Sequence, residues 1–228
     1  MKDQDWKKVA ACLDAQGWAL LPGLLDASIC KSLRGSYDTS RFRKQVVMAR
    51  HGFGSGEYKY FAYPLPGRIA RLRETLYRHL VPVANLWADE SGAPLSFPPQ
   101  HGAYLERCHR AGQVRPTPLM LKYGPSDYNC LHQDLYGEHV FPLQVVILLS
   151  EPGKDFEGGE FVITEQRPRA QSRASVVPLS LGCAVAFAVH HRPVKGKRGF
   201  YKVNHRHGVS ALTSGERYTL GIIFHDAA

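Results

Sequence analysis

"YNCLHQDLYGEHVF", Tyr128–Phe141, runs straight into the apolar stretch "PLQVVILLSE" that ends at Glu151. His132 and Asp134 stand two residues apart in it. On a β-strand, side chains at i and i+2 share a face, whereas on a helix they diverge. A strand here therefore sets an imidazole beside a carboxylate. That is two-thirds of a metal-binding face, and the third ligand has to come from elsewhere in the chain.

The surrounding texture supports a strand. From Pro118 onward, the short apolar runs "LMLKY", "FPLQVVILLSE", "GEFVITEQ", "ASVVPLS", "AVAFAV" and "RYTLGIIFH" are separated by Gly, Pro and polar turns, the pattern of an all-β sandwich or barrel. Upstream, Trp6, Val9, Ala10 and Leu13 mark a short amphipathic helix stopping near Gly17, followed by the extended "WALLPGLL". Asp26 is placed to cap a helix carrying Ile29, Cys30 and Leu33. Residues 41–63 read as a hairpin or mobile loop. A long helix is expected from Pro66 to about Glu90, with Ile69, Leu72, Leu76, Leu80, Val83 and Trp87 on its apolar stripe and Pro82 kinking or interrupting it. A second short helix fits Ala103–Ala111. The expectation is mainly β with N-terminal helices: one structural domain, in which a helical and extended elaboration (1–117) packs on a β-core (118–228).

Composition narrows the class. Of 228 residues, 44% are hydrophobic, enough for one good core. The five cysteines are an odd number without a C-x-x-C pair, which disfavours a disulfide framework or a zinc ribbon and points to a reducing compartment. The charged N-terminus does not read as a signal peptide, and no apolar run is long enough to span a bilayer, so a soluble, cytoplasmic protein without membrane contact is expected. The net charge of +9 fits nucleic acid, an acidic protein, an anionic small molecule, or a merely basic surface.

Among the downstream histidines, "HRHGVSALTSGERYTL" alone pairs one with a second useful feature: from His207 the chain runs ten residues to Arg217. Two His and one carboxylate with open positions form the facial triad of non-haem Fe(II) oxygenases. A co-substrate such as 2-oxoglutarate needs a cation for its distal carboxylate, and arginine offers a planar fork. Thr219, two residues on, can add a hydroxyl.

These residues resemble the 2-oxoglutarate/Fe(II)-dependent dioxygenases: His132-x-Asp134, then His207, then Arg217-Tyr218-Thr219. "FEGGEFVI" is similar to the Gly-Gly turn and strand of prolyl 4-hydroxylase-like members, and "VVPLSLGCAVAF" and "HGVSALTSGERYTL" resemble two further family strands. Tyr123, nine residues before His132, matches a spacing of AlkB-type nucleic-acid demethylases, where the tyrosine bonds a 2-oxoglutarate carboxylate. The resemblance implies a double-stranded β-helix, or jelly-roll, core. It implies Fe(II) on His132, Asp134 and His207, and 2-oxoglutarate on Arg217, Tyr123 and Thr219. O2 is the oxidant, ascorbate an auxiliary reductant, and succinate and CO2 the products of hydroxylating a C–H bond. Asn129 and Gln144 are further residues within reach of the co-substrate.

Other features are weaker. His190 and His191 are adjacent, so on a strand their rings should face opposite ways and not serve one ion. His205 is the competing candidate for His207, being two residues away on the same face. His225 reads as a surface or core histidine and Cys130 as a small core residue. "GFGSGE" (52–57) reads as a flexible loop. "GEYKYFAYPLP", with Tyr58, Tyr60 and Tyr63, is either a substrate lid or an ordinary packed strand. "RPVKGKRGFYKVNHR" (192–206) is an insertion carrying Arg192, Lys195, Lys197, Arg198, Lys202 and Arg206 beside Phe200 and Tyr201, and Arg167, Arg169 and Arg173 lie in another loop. It is either a rim that grips anions or a solvated hairpin. The expected function is C–H hydroxylation of an amino-acid, peptide or protein residue. The alternatives are oxidative demethylation of nucleic acid, a non-enzymatic jelly-roll binding or sensor protein, and a metal-only cupin-like enzyme.

Overall fold

The computed structural model describes residues 2–94 and 96–228. The chain opens with α1 (Trp6–Gln16), β1 (Trp18–Leu21) and α2 (Ala27–Gly35). Asp5 caps α1 by accepting from the Lys8 amide, and Gly17, at φ 80°, ends it by donating to Leu13 O. β2 (Phe42–Val47), a 3-10 turn (Met48–His51), β3 (Gly54–Ser55) and β4 (Glu57–Phe61) lead to α3 (Gly67–Glu90) and α4 (His101–Arg110). Then come β5 (Leu119–Tyr123), β6 (Tyr128–His132), β7 (Leu143–Leu148), β8 (Phe156–Gly158), β9 (Phe161–Gln166) and β10 (Arg173–Val177). β11 (Ala184–Ala188), β12 (His191–Gly196), β13 (Gly199–Val209), β14 (Leu212–Gly215) and β15 (Arg217–Ile222) complete the chain.

Two antiparallel sheets face one another as a jelly roll. The larger runs β1-β11-β7-β15-β5-β4-β2; the smaller runs β10-β9-β13-β6-β3, with β12 also paired to β13. Period-2 alternation gives the larger sheet two buried faces. Tyr218, Leu220 and Ile222 of β15 turn outward into a core shared with α1, α2, α3 and α4. Tyr123, Val146, Leu148 and Phe187 turn inward, against Phe161, Ile163 and Val209 of the smaller sheet. The stripe Ile69, Leu72, Leu76, Leu80, Val83 and Trp87 of α3 is buried on the outer face. Each such aliphatic side chain contributes roughly 1.5–3 kcal/mol on burial. No helix among the described residues is long and apolar enough to cross a membrane.

Three expectations change. Pro82 does not interrupt α3, which runs unbroken from Gly67 to Glu90; buried neighbours on both sides of it, Leu80 and Val83, hold the helix where its own missing amide cannot. "GFGSGE" is not a free loop, because Gly54 and Ser55 pair with Asn129 and Tyr128 of β6. Gly54 is required there: its φ is 125°, and a Cβ would lie 2.4 Å from Tyr128 O. Finally, the extended part of residues 1–117 joins the β-core as well as packing on it, since β1, β2 and β4 are strands of the larger sheet. On the lid question, "GEYKYFAYPLP" contains β4, which pairs in register with β5 from Glu57↔Lys122 to Tyr60↔Leu119.

Candidate active site

Register, more than loop shape, assembles the site. His207 on β13 sits directly opposite His132 at the end of β6, and residues opposite one another across a ladder share a face. Their ring centroids are 4.2 Å apart. The chain leaves β6 at this point, and Asp134 turns back so that Oδ2 lies 3.4 Å from His207 Nε2 and Oδ1 lies 3.6 Å from His132 Nε2. One ligand atom from each of the three lies within 4.8 Å of the others. Two imidazole nitrogens and one carboxylate at this spacing are a donor set for a divalent transition metal.

The neighbours fix these ligands in a metal-ready form. His132 Nδ1 lies 2.8 Å from Cys130 O. A carbonyl only accepts, so Nδ1 carries the proton and Nε2 keeps its lone pair toward the cluster. Burial, and then the neighbouring His132, bring His207 down to about 4, so it is a neutral imidazole at neutral pH. Burial alone would raise the Asp134 carboxyl, but His207, His132 and the Tyr136 hydroxyl hold it well below the usual carboxylate range. Tyr136 donates to Asp134 Oδ1 at 2.6 Å and Gln144 Nε2 donates to Oδ2 at 2.8 Å. Sequence reasoning misses both roles. The available signals were that Tyr136 stands at i+2 from Asp134 and that Gln144 is a polar residue inside an apolar strand.

A second cluster lies on the opposing sheet. Arg217 pairs with Tyr123 across β15 and β5, and Thr219 pairs with Leu121. All four, with Tyr58, Asn129 and Gln144, line the cavity of about 340 Å³ that also contains the three candidate ligands. Arg217 is 1% exposed, yet its Nε and Nη1 have no hydrogen-bond partner, and neither does the Tyr123 hydroxyl. Buried donors without partners are costly unless a ligand completes them. Burial pulls Arg217 down to about 10, so it remains a cation. Its Cζ stands 5.7 Å from the Tyr123 ring centre and 5.8 Å from that of Phe156. Gly158 and Gly159 let the backbone pass: at φ 63°, a Cβ on Gly159 would lie 2.5 Å from Leu212 Cδ1 and 3.1 Å from Arg217 Cδ. The residues present thus fit both groups, Fe(II) on the two-His, one-carboxylate set and an anionic chelating co-substrate on the unpartnered Arg217 and Tyr123.

The remaining histidines separate. His205, two residues from His207 on β13, packs so tightly against Gly17 that any Cβ there would strike its ring, and it lies outside the cavity. His190 and His191 do not diverge: their ring centroids are 3.8 Å apart, because His190 lies in the bend before β12 rather than within the strand. Arg192 is not part of a basic rim. It is buried, with Nη2 3.2 Å from Glu165 Oε2. Cys130 is exposed, not a core residue, and His225 is buried, accepting from the Phe141 amide at 3.2 Å.

Residues 56–227 match the Oxygenase-NA family, described as "Oxygenase, catalysing oxidative methylation of damaged DNA". The uncharacterized protein Rv2227 of Mycobacterium tuberculosis is 47% identical over 197 residues, covering 86% of this chain and 80% of the relative. A Pseudomonas putida prolyl-4-hydroxylase superposes with a TM-score of 0.55 at 15% identity, covering 95% of this chain and 96% of the other. An oxidoreductase of the 2OG-Fe(II) oxygenase family from Burkholderia pseudomallei gives 0.54 at 17% identity, over 100% and 94%. At such identities the two structures speak for a common jelly roll. The family match, which spans most of the sequence, speaks for descent: the chain belongs to the Oxygenase-NA family of oxygenases.

Proposed function

We propose that the protein is an Fe(II)- and 2-oxoglutarate-dependent dioxygenase that oxidises a C–H bond on a nucleic-acid base. One observation carries the chemistry: an open two-His, one-carboxylate set and an unpartnered buried Arg–Tyr pair line the same cavity. In this reading His132, Asp134 and His207 hold the iron, Arg217 takes the distal carboxylate of 2-oxoglutarate, and Tyr123 and Thr219 assist. Bound there, the metal and co-substrate supply O2-driven decarboxylation to succinate and CO2, coupled to oxidation of the substrate.

The chain's own contribution is orientation and dryness. The Cys130 carbonyl sets the His132 tautomer. Gln144 and Tyr136 each hold one oxygen of Asp134, so its carboxylate cannot swing away from the metal face. Leu119, Leu121, Val146, Phe161 and Val209 make the walls apolar, which strengthens the pull of Arg217 on a carboxylate.

The family description and the net charge of +9 favour a nucleic-acid substrate over a peptide residue. So do Phe53 and Leu131, which line the cavity yet are half-exposed, and the exposed Tyr128 on the same strand as Leu131. Structural likeness to a prolyl hydroxylase bears on fold and does not choose a substrate. The test is succinate formation under Fe(II), 2-oxoglutarate and O2. A single-stranded oligonucleotide bearing N-methylated bases should raise the wild-type rate above its substrate-free level, and Asp134→Ala should give none. Stimulation by proline-containing peptides alone would contradict the assignment of substrate, and undiminished turnover in Asp134→Ala that of the metal site.

A further inference from the structure

The geometry points to the β12–β13 hairpin as a clamp for the phosphodiester backbone of a single-stranded nucleic acid whose target base enters the cavity. This rests on the nucleic-acid reading above and adds to it the surface that grips the strand.

Position is the first observation. β13 pairs with β6 at His207↔His132, and with β12 from Asn204↔His191 to Gly199↔Gly196. β12 therefore continues the line of β6 beyond the point where the chain turns off to place Asp134. Gln133, which lies between two candidate ligands and lines the cavity, ties the hairpin base to the site by donating to Asn204 Oδ1 and to His205 O, both at 2.7 Å. At about 3.3 Å per residue, the hairpin reaches about 20 Å past that tie.

Charge is the second. Residues 192–206 contain six Lys or Arg and no Asp or Glu. Arg192 is neutralised internally by Glu165, but Lys197, Arg198, Lys202 and Arg206 are exposed. They form no ion pair among the described residues, in contrast to Arg167, just after β9, and Arg173, at the start of β10, which lie 3.6 and 3.5 Å from Glu165 Oε1. Phe200 stands among them 44% exposed. A cationic ribbon with an exposed ring suits a polyanion that carries stackable bases: phosphates take the cations and a base takes the ring. An acidic protein surface would use the cations and leave Phe200 without a role.

The experiment compares wild type with the triple variant Lys197→Ala, Arg198→Ala, Lys202→Ala, measuring binding by fluorescence anisotropy as salt is varied. The probes are a single-stranded oligodeoxynucleotide, an oligoribonucleotide of the same sequence, and polyglutamate of matched charge. The variant should keep the wild-type melting temperature, bind an oligonucleotide at least tenfold more weakly, and lose about 2 from the slope of log affinity against log salt, at about 0.7 per phosphate contact. The preferred oligonucleotide identifies the strand as DNA or RNA. Unchanged affinity and slope in the variant overturn the clamp while leaving the nucleic-acid reading intact. Failure of the wild type to bind either oligonucleotide overturns both. Equal binding to polyglutamate, equally lost in the variant, overturns the clamp in favour of an acidic protein partner.

Discussion

Arg73 and Arg217 are both 1% exposed, and they could hardly be more different. Arg73, on α3, is fully employed. Nε donates to Ile223 O at 2.8 Å, Nη1 to the Tyr63 hydroxyl at 3.2 Å, and Nη2 to His225 O at 3.1 Å and Asp226 Oδ1 at 2.8 Å. Asp226 is itself completely buried, bonded also to Tyr63 and His109. Arg217, on β15, has two nitrogens with no partner and faces a cavity. A folded protein tolerates an unsatisfied buried cation only where something else completes it. The first arginine fastens the C-terminal segment to α3. The second, in the function proposed above, is held ready for a ligand.

The comparison breaks most sharply by mutation of Arg73. Arg73→Met leaves Asp226 buried beside His109 and Tyr63 without its main cation, which should cost about 3–5 kcal/mol of stability. Denaturant melts would register this, and the folded fraction should bind 2-oxoglutarate as wild type does. Arg217→Met should do the reverse. Stability should hold or rise, while 2-oxoglutarate affinity falls by about 2–5 kcal/mol, the range for losing one partner of a buried charge pair. That is about 30-fold or more. If Arg217→Met melted as badly as Arg73→Met, the distinction between fastening and ligand-binding arginines would collapse.

Acid should weaken the Arg73 region as well. Burial, and then Arg73, bring His101 down to about 4, below the ordinary 6.5. The unfolded chain then binds a proton that the folded chain refuses, so stability falls as pH drops from about 6.5 toward 4, by about 3 kcal/mol for this residue. Asp226 acts in a lower window. Burial would raise it, but Arg73, His109 and Tyr63 keep it below 3.8, so its contribution is lost only as pH falls through that depressed value. Melting curves across pH 7 to 4 for wild type and His101→Gln should show the variant with the shallower decline. The smallest effect sharpens the other side. Gly159→Ala forces φ 63° on a residue with a Cβ and crowds Arg217 Cδ, costing about 1–3 kcal/mol of strain, and it should weaken 2-oxoglutarate binding along with stability.

What is legible in the sequence follows from chain distance. The i, i+2 pair His132 and Asp134 needs only the strand period, and Arg217 and Thr219 share a face by the same rule. The structure gathers these with Tyr123 and His207 around one cavity. The Arg73–Asp226 pair spans 153 residues, and nothing local in an amphipathic helix marks one arginine on its buried face as paired. Gly54–Ser55 carries no β-propensity, so its pairing with β6 comes from close backbone approach. His190 and His191 escape the alternation rule because the strand begins one residue later than the rule assumes, leaving His190 in a bend. Arg192 looks like its exposed neighbours because its partner, Glu165, lies on β9, a strand it meets only through folding.

The most direct measurement is anaerobic calorimetric titration of 2-oxoglutarate into the Fe(II)-loaded protein, alongside Arg217→Met and Asp134→Ala. Stoichiometric binding by wild type, binding weakened by about 30-fold or more in Arg217→Met, and failure of Asp134→Ala to retain iron are the expected results. A wild-type protein that holds Fe(II) but binds 2-oxoglutarate no better than Arg217→Met does would contradict the central claim that one cavity holds both.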